Sequence, residues 1–136
     1  MDNKDFHLQV EAQAQYIADI VEGINSGEML FYRGESYTEE EWQGYLEYLI
    51  PAELDEAIEN VAYMTWGDFL ESALDIVEHR QGDTILGFRI YTTIGGPSVY
   101  IDTMDKQVVC TWGCDKAVVG LFSSTCDSLT EYLSFF

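Results

Sequence analysis

From Asp5 to Ile24 the apolar residues Phe6, Val10, Ala14, Ile17, Val21 and Ile24 recur every three or four positions. That spacing places them on one face of a helix, because a turn takes about 3.6 residues. The run stops at Asn25-Ser26-Gly27, a helix-ending signal. Met29 to Arg33 is a short apolar segment, read either as a strand or as a stretch packed on the helix, and Gly34 closes it.

Thr38-Glu39-Glu40-Glu41 has the form of a capping box: the hydroxyl is placed to accept from the third helical amide while Glu41 reaches back. Trp42, Tyr45, Leu46 and Leu49 then mark an apolar stripe. Pro51 interrupts that helix and suits the first turn of another, in which Leu54, Ala57, Ile58, Val61 and Ala62 form the inward face. Thr65-Trp66-Gly67-Asp68 is a second capping box, opening a short helix expected to run to about Ser72.

Beyond this point the period changes from helical to alternating. Leu74, Ile76 and Glu78 against Asp75, Val77 and His79 read as a strand, with a continued helix as the competing reading. Ile85 to Ile94 is β-branched and aromatic, which suits a strand. Gly95-Gly96-Pro97 predicts a sharp reversal. Ser98 to Thr103 and Lys106 to Trp112 flank Met104-Asp105 like the arms of a hairpin, and Ala117 to Phe122 predicts one strand more. The Ser-rich stretch around Ser124 opens a last helix with Leu129, Tyr132 and Leu133 facing inward. The expected class is α+β: N-terminal helices packed on an antiparallel β-meander, with a C-terminal helix. Residues 1–136 form one domain in this reading, with 1–72 mainly helical and acidic, 73–122 the sheet and 123–136 the last helix.

Composition supports a packed core. The chain has 136 residues, 47% of them hydrophobic, with three Trp, nine Tyr and seven Phe, unlike a disordered segment. Charge changes the picture most: 25 acidic residues against 6 basic ones give a formal net charge of -19. Phosphate recognition needs Lys and Arg to displace counterions, so direct nucleic-acid binding is not expected, and an anionic membrane would repel the chain. Met1 to Val10 alternates charge and apolarity instead of running basic then apolar, and no stretch has the length of a membrane span, so a cytoplasmic protein is expected.

The acids are also unevenly spread. Between Gly34 and Glu78 there are thirteen acids and no Lys or Arg. Glu39, Glu40, Glu41 and Glu47 fall on one predicted helix, Glu53, Asp55, Glu56 and Glu59 on the next, and Asp68 and Glu71 beyond them. Helical neighbours three or four apart lie about 5–6 Å apart at Cβ, and like charges so placed cost a few tenths of a kcal/mol per pair. A surface shaped only for solubility intersperses lysines. Carboxylates at this separation match the few-ångström scale of DNA phosphates, about 3.4 Å apart per strand. These ten acids are therefore the candidate partner-binding residues, with Trp42 and Tyr45, and Tyr48, Tyr63 and Trp66 nearby, as aromatic anchors. The competing reading is an ordinary solvated acidic face.

Other chemistry is thin. Cys110, Cys114 and Cys126, an odd number in the last third, make a poor disulfide framework and a weak zinc signal; buried small hydrophobes are the commoner role. His7 and His79 lie in plain amphipathic surroundings, and Gly95-Gly96-Pro97 lacks the spacing of a phosphate-cradling loop. Asp102 and Asp105 flank a hairpin turn, where Asp bonds locally. No cofactor, metal or catalytic residue is assigned.

Two segments carry a resemblance. Gly95-Gly96-Pro97-Ser98-Val99-Tyr100-Ile101-Asp102-Thr103 and Val109-Cys110-Thr111-Trp112-Gly113-Cys114-Asp115-Lys116-Ala117 resemble a group of small acidic proteins carried by phages and integrative elements of gut bacteria. In that group a Gly-Gly-Pro turn, a strand ending in Asp-Thr and a Trp-Gly-x-Asp element recur. The resemblance implies an anti-CRISPR or anti-restriction inhibitor, and a partner that is a basic nucleic-acid-binding protein, a CRISPR effector nuclease or a restriction enzyme. The first alternative is an interaction module that uses its sheet face or its Gly95-Gly96-Pro97 turn, with Tyr100 and Trp112 as contacts and charge serving solubility; the second is a Cys-ligated metalloprotein.

Overall fold

The computed structural model describes residues 3–135. Helix α1 (Asn3–Ser26) is the longest element, about 36 Å at 1.5 Å per residue. Val10, Ala14 and Val21 are fully buried, and Ala18, Ile20 and Ile24 nearly so, which widens the predicted stripe. The helix ends at Gly27, whose left-handed φ of 74° suits a residue without a Cβ.

Strands β1 (Leu30–Tyr32) and β2 (Glu35–Tyr37) form a hairpin in which Tyr32 faces Glu35. Arg33 and Gly34 between them have φ of 50° and 80°, the two positive angles that a two-residue turn needs to follow strand twist. Helix α2 (Glu39–Leu46) starts at Thr38, whose Oγ1 accepts from the Glu41 amide at 3.2 Å while Glu41 Oε1 accepts from the Thr38 amide at 3.0 Å. Helix α3 (Pro51–Asn60) opens on Pro51, and strand β3 (Ala62–Tyr63) then pairs with β1.

That small sheet, in the order β2-β1-β3, corrects two expectations. Ala62 belongs to an exposed strand residue pair and not to the inward face of a helix, and Ile58 is 57% exposed. Val61 turns extended at the helix end, which returns the chain to β1 before another helical turn can form. Helices α2 and α3 also pack on this sheet instead of on the meander. Trp42 stands 5.4 Å from Tyr32, 5.3 Å from Tyr37 and 5.5 Å from Tyr45, ring to ring, and Ala57 closes the cluster. The stripe of α2 finds its aromatic partners in the hairpin just before it, so closing this core needs only a short loop.

Helix α4 (Trp66–Leu70) begins at the Thr65 capping box and ends two residues short of Ser72. The strands β4 (Asp75–Gln81), β5 (Thr84–Thr93), β6 (Ser98–Asp102), β7 (Gln107–Trp112) and β8 (Asp115–Gly120) run in sequence order as an antiparallel meander. The strand reading of 75–81 prevails over a continued helix because Ile76 pairs opposite Ile90 and Val77 opposite Arg89. Helix α5 (Ser123–Ser134) completes the α+β fold. Side chains alternate along a strand, so Ile90, Val99, Ile101, Val108, Cys110 and Ala117 share one face, where they meet α1 and the Leu129 and Leu133 side of α5. Each fully buried Val, Ile or Leu there contributes about 1.5–3 kcal/mol. Trp66 Nε1 donates to Ser128 Oγ at 3.0 Å and joins α4 to α5.

Candidate functional site: the acidic surface

Nine of the ten predicted acids are exposed, and Asp68 is half-buried. The local fold gives some of them a structural task. Glu41, Glu53 and Asp68 each accept from an N-cap amide, at 3.0, 3.3 and 3.0 Å, which holds three helix starts. Glu39, Glu40 and Glu41 also lie in the first turn of α2, where the helix dipole favours negative charge. No such compensation reaches Glu47, Asp55, Glu59 or Glu71.

Cations folded in from elsewhere neutralise little of this region. Arg33 donates to Glu56 Oε1 at 2.7 Å, and Arg80 pairs with Glu78. Among the described residues, the other eleven acids between Gly34 and Glu78 have no ion pair with a basic side chain. Both pairs are largely exposed, where such contacts are worth about 0–1 kcal/mol.

The aromatic residues divide. Trp42 is 5% exposed, so it is a core residue and not an available anchor, and Tyr45 packs half-buried against it. Trp66 is likewise buried. Tyr48 and Tyr63, at 88% and 67%, keep their rings open beside the acids. An amphipathic stripe looks the same in a sequence whether it meets the core or a partner, so burial had to sort these five.

The far face of the meander has a different character. The Tyr91 and Tyr100 rings meet at 5.2 Å, tilted by 41°, the Arg89 guanidinium lies 4.8 Å over the Tyr100 ring, and Arg89 Nε donates to the buried Asp102 Oδ2 at 3.2 Å. Asp102 Oδ1 also accepts from the Met104 and Asp105 amides at 3.0 and 3.1 Å, the local turn bonding expected of it. Tyr100 is thus on this outer face, but Trp112 is not: its ring packs 5.3 Å from Phe6 of α1, on the inner side.

Cys110 and Cys126 are buried and Cys114 is exposed. Burial pushes the Cys110 thiol up and the Cys126 thiol to about 11, so both stay protonated and unreactive at neutral pH. Among the described residues no three His, Cys, Asp or Glu side chains gather as a metal set. One pair escaped the sequence reading: His7 Nδ1 lies 2.9 Å from Asp115 Oδ1, and both line a shallow hollow with Cys114. Nothing in the surroundings of His7 along the chain signals it, because Asp115 comes from the other end.

The acidic surface is thus carried on an α+β scaffold. No protein-family model matches the chain, and no curated protein or solved structure matches it either. No helix among the described residues is long and apolar enough to cross a membrane.

Proposed function

We propose that this protein is a non-enzymatic inhibitor that presents its acidic surface to the basic nucleic-acid-binding surface of a bacterial defence nuclease, an RNA-guided CRISPR effector or a restriction enzyme, in the cytoplasm of the host cell. One observation carries the reading: a cation-free run of the chain folds onto rigid helices with nine of its ten candidate acids exposed and few neutralised. Fixed carboxylates raise the encounter rate with a cationic groove and compete with phosphates for it. The resemblance of residues 95–117 to small mobile-element proteins selects defence nucleases among basic partners.

The test replaces acids that hold no cap: Glu40→Gln, Glu47→Gln, Asp55→Asn and Glu59→Gln together. Binding to the nuclease, and inhibition of its DNA cleavage, are expected to weaken at least about tenfold, and wild-type affinity to fall steeply with salt. Unchanged affinity in the fourfold variant would refute the reading. The cluster of Tyr91, Tyr100 and Arg89 favours a second reading, docking through the outer sheet face. It expects Tyr100→Ala to abolish binding while the fourfold variant still binds.

A further inference from the structure

Three hollows flank α1, each sharing lining residues with the next. The first, about 450 Å³, lies between the end of α1 and the start of α2 and holds Glu22, Glu28 and Glu39. The second, about 120 Å³, shares Asp19, Met29 and Thr38 with the first and adds Glu41. The third, again about 450 Å³, shares Tyr16, Ile20 and Ser36 with the second and reaches Asp68 and Glu71 of the α4 region. Shared walls make them one trough that follows α1 from Gln13 to Ser26, about 20 Å at 1.5 Å per residue.

Two properties of the trough act together. Beneath the third hollow its floor is apolar, with half-buried Ile17 and Phe31 lying over the buried Ile20, Met64, Phe69 and Val99. Its rim carries seven acids and no Lys or Arg. Among the described residues, Asp19, Glu22, Glu41 and Asp68 take hydrogen bonds only from uncharged donors, which orient the carboxylates and leave their charge in place. A concave surface of one sign over a low-dielectric floor focuses its field inward, which an open helix face does not.

The geometry points to an occupant: an extended basic segment of the partner protein, with Lys or Arg alternating with apolar residues. About 20 Å accommodates about six extended residues at about 3.3 Å each. Alternate side chains of such a segment point to opposite sides, so apolar ones reach the floor while the stems of Arg or Lys lie along the walls and their heads meet the rim. The inference rests on the reading of this protein as the ligand of a basic surface and says where on it the partner is gripped. The apolar floor supplies the contact area that exposed carboxylates lack, and the partner is chosen by sequence pattern as well as by charge.

The probes are two synthetic peptides of equal charge, one alternating Arg with Leu and one alternating Arg with Ser, titrated into the full chain by NMR and calorimetry. The Arg/Leu peptide is expected to bind at least about tenfold more tightly and to shift the methyl signals of Ile17, Ile20 and Met64, since leucine side chains gain by leaving water for the floor and serine side chains do not. Ser36→Arg puts a cation at the join of two hollows, and Asp19→Lys does so on the opposite wall; each is expected to lose the peptide at least about tenfold with an unchanged thermal melt. Equal binding of the two peptides, shifts confined to α2 and α3, or full binding by both variants would overturn the trough. The nuclease assay separates the two ideas. If Ser36→Arg still inhibits and the fourfold variant does not, the trough fails and the acidic-surface reading stands. If the fourfold variant still inhibits, that reading falls.

Discussion

His7 and Asp115 are 108 positions apart, yet their contact ties the first turns of α1 to the β7–β8 turn. The hydrogen bond that His7 donates to Asp115, helped by the carboxylate's charge, raises the imidazole above its ordinary 6.5, and the same bond lowers the carboxyl below its ordinary 3.8. A raised His value contributes stability that is complete below 6.5 and is lost as pH rises through the folded value. A lowered Asp value contributes stability that is present above 3.8 and is lost as pH falls through the folded value. The pair therefore works best between these limits. His7→Ala should melt slightly below wild type at about pH 5.5 and level with it by about pH 9, with the gap small because the pair is exposed to solvent. A gap independent of pH in thermal melts would remove the ion pair from this account. At the same scale, the turn-bonding role of Asp102 was legible from its place beside Met104-Asp105, because an Asx turn is a local event. The fate of Trp42 was not, because its three ring neighbours include Tyr32 and Tyr37, which β1 and β2 supply.

At the scale of elements, the caps were the most legible features. Thr38 and Glu41, and Thr65 and Asp68, bond as their spacing predicts, since every atom involved lies within one helical turn. Thr38→Ala is expected to cost about 1 kcal/mol in chemical denaturation, whereas Glu40→Gln, in the same turn without a cap bond, should change stability by no more than a few tenths. Equal costs would mean that charge, not the cap, holds the start of α2. Gly87 shows the opposite case. A Cβ there would collide with Met104 Cγ and press on Thr103 Oγ1 at 2.9 Å, a demand set by the hairpin lying across β5 and invisible in the run Leu86-Gly87-Phe88. The two-residue strand β3 likewise left no periodic signal, being too short to show alternation.

Across the whole molecule, a net charge of -19 opposes compaction and attracts basic partners, and salt acts on the two effects with opposite sign. Raising ionic strength from about 0.01 M to about 1 M shortens the screening length from about 30 Å to about 3 Å. The melting temperature of the free protein should rise over that range while its affinity for a basic partner falls. A melting temperature that falls with salt would show that the exposed ion pairs outweigh the repulsion.

The α+β class, the meander and the acidic run were all decided by order along the chain: periodicity reports which side of an element is apolar, and charge is a sum that needs no coordinates. Only the tertiary structure decided which neighbour each apolar side meets. It closed α2 and α3 on a second small sheet, turned Trp112 inward against Phe6 and left Tyr100 outside. It also brought Asp19 and Glu22 of α1, with Glu28 just past its end, opposite Glu39 and Glu41 of α2. A trough has two walls drawn from different parts of the chain, and the distance between them is set by packing, which no local pattern encodes.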